Sequence, residues 1–238
     1  MNDDLLFLVN MFFSLLEFSS FTLLSLTIYR IPIMLYWKRL LVMQFVFLAV
    51  MLTHDYILHN KDFYILSIAC TAIILTTILL RIPFLYSALI WGTGYLINIL
   101  IQSLVIYLVT SVNLVNADDL VNNPIYRNAG LLFFSLLYIV IVYYMDKKRL
   151  GFMFIMNRFR IAKRNLQLKD ILIATLFLCT VSLGQVAALS ITSNQINQSF
   201  IYVLIAMIVI SSVGLYITYK LNIKEIEERF NALRGKNR

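Results

Sequence analysis

Long apolar stretches alternate with short polar breaks along the whole chain. Seven such runs stand out, at about 5–28, 40–58, 63–80, 85–110, 129–145, 170–192 and 200–219. A helix needs ~20 apolar residues to cross the ~30 Å hydrocarbon core of a bilayer. The pattern predicts an all-α, polytopic membrane protein: a bundle of seven transmembrane helices, with residues 1–219 as the membrane domain and 220–238 as a short cytoplasmic tail. The third and fifth runs are short, and the fourth is long enough to tilt or kink. Six spans, with 170–219 as one re-entrant unit, is the alternative. The polar stretch Thr192-Ser193-Asn194-Gln195 favours an outer turn there. The first run follows Met-Asn-Asp-Asp, without the basic start or small-residue cleavage site of a signal peptide. It is expected to stay as a membrane helix.

Charge sets the orientation. With the N-terminus outside, the inner segments 29–39, 81–84, 146–169 and 220–238 carry 18 of the 20 Lys and Arg residues. Only Lys61 and Arg127 fall outside, whereas Asp3, Asp4, Asp55, Asp62, Asp118 and Asp119 all do. Basic residues accumulate on the cytoplasmic side of membrane proteins. The net charge of +8 therefore reads as topology and attraction to an anionic inner leaflet, not as a nucleic-acid footprint. Composition agrees: 61% of residues are hydrophobic and 13% charged, against ~45–50% and ~25% in soluble domains. A water-soluble enzyme is excluded, and so is a disordered chain.

Three local patterns stand out at the inner side. Arg30-Ile31-Pro32 recurs as Arg81-Ile82-Pro83, each time between an odd-numbered span and the next. A Pro at a helix start loses nothing by lacking its N–H. The loop 146–169 gathers Lys147, Lys148, Arg149, Arg158, Arg160, Lys163 and Arg164 around helically spaced Phe152, Ile155, Met156 and Phe159. It reads as an interfacial helix anchored on the inner leaflet, or as a docking surface for a cytoplasmic partner. In the tail, Ile223, Ile226, Phe230 and Leu233 form a seam, flanked by the pairs Lys224–Glu228 and Glu225–Arg229. The last span is expected to continue as an amphipathic helix, a route to a homodimer or a cytoplasmic partner. Tyr29, Tyr36, Tyr56, Tyr86, Tyr126, Tyr143, Tyr144 and Tyr219 lie near span ends, as an aromatic belt does.

Catalytic chemistry is not legible. His54-Asp55-x3-His59-x2-Asp62 reads as a solvated loop or a metal or pH-sensing cluster. Cys70 and Cys179 sit in apolar runs and are expected to be small buried hydrophobes. No cofactor or metal is expected. The informative residues are polar groups at membrane depth: Asn10, Ser14 and Glu17 on one face of the first span, Gly94, Asn98 and Gln102 on the fourth, and Ser182, Gly184 and Gln185 on the sixth. An ionisable residue inside the membrane marks a functional site by default. The three stripes converge either as interhelical hydrogen bonding, with Glu17 held by Asn98 or Gln185, or as the floor of a ligand pocket or a coupling element.

Seven spans, an outside N-terminus, the phrase Leu79-Leu80-Arg81-Ile82-Pro83-Phe84-Leu85-Tyr86-Ser87 and the Lys/Glu-rich seam after the last span resemble one known family. It is the membrane sensor region of accessory-gene-regulator-type, GHKL-family quorum-sensing histidine kinases of Gram-positive bacteria. The resemblance covers most of residues 5–230. It implies a multi-pass protein of the bacterial cytoplasmic membrane that binds a small extracellular peptide and relays a shift into a linker helix, without catalysis of its own. The family's phospho-acceptor His and ATP-binding domain would follow the linker; within this chain His54 and His59 face outward and serve neither. A kinase-less homologue or an excised sensor region is the expectation. Two other functions compete: a substrate-binding or accessory subunit of a transporter, although the first span has no Ala for small-residue docking, and a membrane interaction subunit.

Overall fold

A computed structural model describes residues 3–53, 64–112 and 123–152, together with eleven residues between Tyr202 and Glu227. The described residues form helices and turns, without strands. Five helices follow one another: α1 (Asp3–Ile28), α2 (Ile33–Thr53), α3 (Tyr64–Leu79), α4 (Phe84–Ser111) and α5 (Pro124–Lys147). The eleven later residues are all helical too. Four helices, α1, α2, α4 and α5, are long and apolar enough to cross a membrane; α3 is apolar but shorter.

The described part of the chain is therefore all-helical, with several membrane-compatible helices. Where spans were expected at 40–58 and 129–145, the helices run Ile33–Thr53 and Pro124–Lys147. Helix geometry tolerates Tyr36, Trp37, Lys38 and Arg39 as readily as an apolar stretch does, so α2 starts directly after Pro32. Asn123 starts α5 by accepting the Ile125 N–H at 3.0 Å, with Pro124 in the first turn. The span 170–192, the residues Gln185, Arg158, Arg160, Lys163 and Arg164, and the cluster from His54 to Asp62 lie outside the described residues.

The second half of α1 is the centre of the bundle. Phe18, Phe21, Leu24, Leu26 and Ile28 are buried there, and so are Ser20, Thr22, Ser25 and Thr27. Burying a hydroxyl is costly unless it is hydrogen-bonded. These hydroxyls solve that locally, each bonding a carbonyl one turn back: Thr22 to Phe18 at 2.8 Å, Ser25 to Phe21 at 3.0 Å and Thr27 to Leu23 at 2.7 Å. Small hydroxylated residues also let backbones approach. α1 packs along α5 and also touches α4 and α2, while α3 fills the gap between α2 and α4.

Trp91 of α4 is the hub of this core. It is fully buried, with the rings of Phe18, Phe21 and Phe47 around it at centroid distances of 6.0, 5.5 and 6.2 Å. Its indole N–H donates to Thr76 Oγ1 of α3 at 2.7 Å, which satisfies the ring's one polar group. Tyr29, expected in an aromatic belt, is instead fully buried, with its hydroxyl 3.0 Å from Thr93 Oγ1. Cys70 departs in the other direction: it is exposed on α3. A lipid-facing surface is as apolar as a core, so hydropathy alone does not separate the two.

The turns after α1, α3 and α5 share one device. Arg30, Arg81 and Arg149 all adopt positive φ, at 51°, 58° and 53°. This left-handed position just past a helix end is where Gly is usually found, because a side chain there costs about 1–2 kcal/mol. After α1, Ile31 N–H donates to Leu26 O and Arg30 N–H to Thr27 O, at 3.1 and 2.9 Å. After α5, Leu150 N–H donates to Met145 O and Arg149 N–H to Asp146 O, at 2.8 and 3.1 Å. The Arg-Ile-Pro repeat thus sets an arginine at the same left-handed position twice, and Arg149 does so a third time, while the paired cap bonds are those after α1 and α5. The chain after α5 then docks on α1: Phe152 N–H donates to Ile28 O at 2.7 Å, and its ring meets Tyr29. Phe152, expected on an interfacial helix, is non-helical because it caps α1.

Candidate functional site

α1 and α4 run antiparallel, and their closest approach sets the site. A Cβ on Gly94 would lie 2.1 Å from Ser25 Oγ. Eight residues from this crossing along each helix, away from the basic turns, stand Glu17 and Gln102. Gln102 Nε2 donates to Glu17 Oε1 at 2.5 Å. Neither α1 nor α4 contains a Lys, Arg or His, so the carboxyl meets an amide rather than a countercharge on the helices that cross here. The expected partner Asn98 sits one turn further along α4, toward the crossing. It accepts a hydrogen bond from the Tyr138 hydroxyl of α5 instead. Tyr138 is fully buried and also faces Gln102 and Glu17.

A second bond ties α1 to α5 nearer the start of both helices. Asn128 Nδ2 donates to Asn10 Oδ1 at 2.7 Å. Asn128 is 8% exposed, and its own Oδ1 is buried without a partner among the described residues. Ser14 lies between Asn10 and Glu17 on the same face of α1, half-buried, and takes no part in these bonds. Asn10, Glu17, Asn98 and Gln102 therefore each belong to one rung of a ladder of interhelical bonds across α1, α4 and α5, with the Asn10–Asn128 rung two turns of α1 away from Glu17. Lys147, Lys148 and Arg149 are exposed at the far end of α5, distant from it.

Comparison of the chain with protein-family models, with curated proteins and with solved structures finds no match.

Two members of the ladder escaped the sequence reading. Asn128 sits next to an expected span boundary, and Tyr138 lies inside an aromatic-rich apolar run. Their spacing carried a signal: Asn128, Ser135 and Tyr138 fall 7 and 3 residues apart, on one stripe of α5, and all three are buried. Among the described residues no group of three or more His, Cys, Asp or Glu could hold a metal.

The ladder's chemistry is that of position. Each bond fixes the register of two helices, since sliding one past another by a single residue shifts it ~1.5 Å. Such a slide would separate Gln102 from Glu17 and Tyr138 from Asn98. Apolar packing alone resists sliding less specifically, because many registers are nearly equivalent in lipid.

Proposed function

We propose that this chain is a receptor-like module of a bacterial cytoplasmic membrane, with seven spans, the N-terminus outside and the C-terminus in the cytoplasm. It detects an extracellular peptide or other small ligand and relays binding through its helices to the C-terminal tail. The observation that carries this reading is the ladder of Glu17, Gln102, Asn98 and Tyr138, which joins α1 to α4 through the one ionisable group deep in α1 and α4 to α5 through Tyr138 and Asn98. A ligand engaging the ladder from outside would compete for these bonds, and the helices would shift in register. The resemblance to accessory-gene-regulator-type sensors supports the same reading. The polar seam belongs to a binding or coupling role rather than catalysis.

The test is capture of a native ligand. Full-length protein in mild detergent is exposed to the low-mass peptide fraction of spent culture medium, washed, and analysed by mass spectrometry. A peptide retained by the wild type and lost from Glu17→Ala and Gln102→Ala, with all three proteins folded by circular dichroism, supports the proposal. A folded wild type that retains no peptide overturns it.

A transporter subunit is the second reading, favoured by a carboxyl paired with an amide, Gln102, at membrane depth. Uptake of a labelled small substrate, dependent on Glu17, would select it.

A further inference from the structure

The basic end of the bundle, where α1, α3 and α5 finish, holds arginines in places that the backbone would give to glycine. Arg30, Arg81 and Arg149 each occupy a left-handed position. Glycine would fit it better three times over, so the guanidinium is the part of each residue that the backbone does not explain.

The turn that carries Arg149 packs against Arg30. Arg30 Cγ lies 3.2 Å from where a Cβ on Gly151 would stand, so the Arg30 side chain runs along the turn that carries Arg149. Gly151 itself needs its glycine: its φ is +125°, and a Cβ there would fall 2.7 Å from Ile28 O. The close approach of this turn to the end of α1 therefore depends on Gly151, and it sets the segment Lys148–Gly151 against the turn that carries Arg30. Arg30 Nε is buried and has no hydrogen-bond partner among the described residues. Lys147, Lys148 and Arg149, which lead into Gly151, are exposed. Across residues 29–39, 79–84 and 145–152 there are seven basic residues and one carboxylate, Asp146. Around the same end, cations lie over aromatic rings: Arg39 over Tyr36, Lys38 over Trp37 and Lys147 over Tyr143, at 5.6, 5.6 and 5.8 Å. Such pairs sit at the headgroup level of a bilayer.

We infer that the corner formed by Arg30, Lys148 and Arg149 binds the phosphate of an anionic phospholipid of the inner leaflet. Guanidinium forks match phosphate oxygens bidentately, and the charge-assisted bonds are strong where water is scarce. Arg30 Nε itself is buried, so the outer nitrogens of this half-buried side chain are the ones a headgroup would meet. This differs from general attraction to a charged surface, because it assigns one headgroup to one corner. It rests on the orientation proposed above, with the N-terminus outside, and not on the receptor role.

The test uses native mass spectrometry of the full chain in mild detergent, with phosphatidylglycerol or phosphatidylcholine of identical acyl chains. Arg30→Gly and Arg149→Gly are the variants, singly and together, since glycine preserves the left-handed turn while deleting the guanidinium. Wild type is expected to retain phosphatidylglycerol over phosphatidylcholine, and the double variant to bind it at least tenfold more weakly (~1.4 kcal/mol per tenfold). Lipid-free melting temperatures are expected to stay equal or rise. Should the double Gly variant fail to fold, Arg30→Gln with Arg149→Gln gives the same comparison. Equal retention of the two lipids, or a double variant that binds like wild type, overturns the assignment. Displacement of phosphatidylglycerol by millimolar inorganic phosphate also overturns it, in favour of a free-anion site.

Discussion

Ser25 and Gly94 mark the point where α1 and α4 come closest: a Cβ at position 94 would stand 2.8 Å from Ser25 Cβ and 3.4 Å from its Cα. Ser25 cannot swing away cheaply, because it is fully buried and its hydroxyl is bonded to Phe21 O. Gly94→Ala should therefore destabilise the fold by about 1–3 kcal/mol, as overpacking does. Ser25→Gly placed with Gly94→Ala should recover most of the loss. Thermal unfolding in detergent or nanodiscs checks both. A Gly94→Ala protein as stable as wild type would mean that the helices are further apart than described.

Trp91 depends on Thr76 in a different way. Thr76→Val keeps the shape but leaves a buried indole N–H without its acceptor, at a cost of about 1–3 kcal/mol. Thr76→Ser keeps the acceptor and should be milder. Melting curves of the two variants, with tryptophan fluorescence to follow the indole's surroundings, separate the hydrogen bond from the packing.

These residues also show where the sequence was readable. Helices α1, α3 and α4 follow the apolar runs closely, because run length and hydropathy are what bilayers select. Asn10, Glu17, Asn98 and Gln102 were legible since a polar residue in an apolar run has few neutral explanations. Which face of a helix meets protein was not. Cys70 and Tyr29 exchanged their expected places because lipid and core are equally apolar. Pairing was not legible either: the partner of Glu17 is set by the crossing at Ser25 and Gly94, a contact between positions 69 residues apart. The left-handed arginines were hidden for a simpler reason, as nothing in Arg announces positive φ.

Arg81 offers a check on those turns away from the lipid corner. Arg81→Gly should raise stability by about 0.5–1 kcal/mol, because glycine reaches φ > 0 without strain. Arg81→Val should lower it, since a β-branched side chain is worst there. If both substitutions lower the melting temperature equally, the guanidinium and not the backbone dominates at this turn.

Orientation can be read with single cysteines in a background of Cys70→Ser and Cys179→Ser. With the N-terminus outside, Arg127→Cys should react with a membrane-impermeant maleimide on intact cells. Lys148→Cys, at the other end of α5, should react only after permeabilisation. The opposite pattern would invert the topology, and with it the side from which a ligand could reach the ladder.

The pairing of Glu17 with Gln102 is the centre of the account, and a double-mutant cycle measures it directly. Glu17→Leu, Gln102→Leu and the double variant would be unfolded in bilayer nanodiscs alongside wild type. If the two side chains hold α1 to α4, the cycle should return a coupling of about 0.6–2 kcal/mol, the range of interhelical hydrogen bonds in membranes. Strictly additive effects, with no coupling between positions 17 and 102, would contradict it.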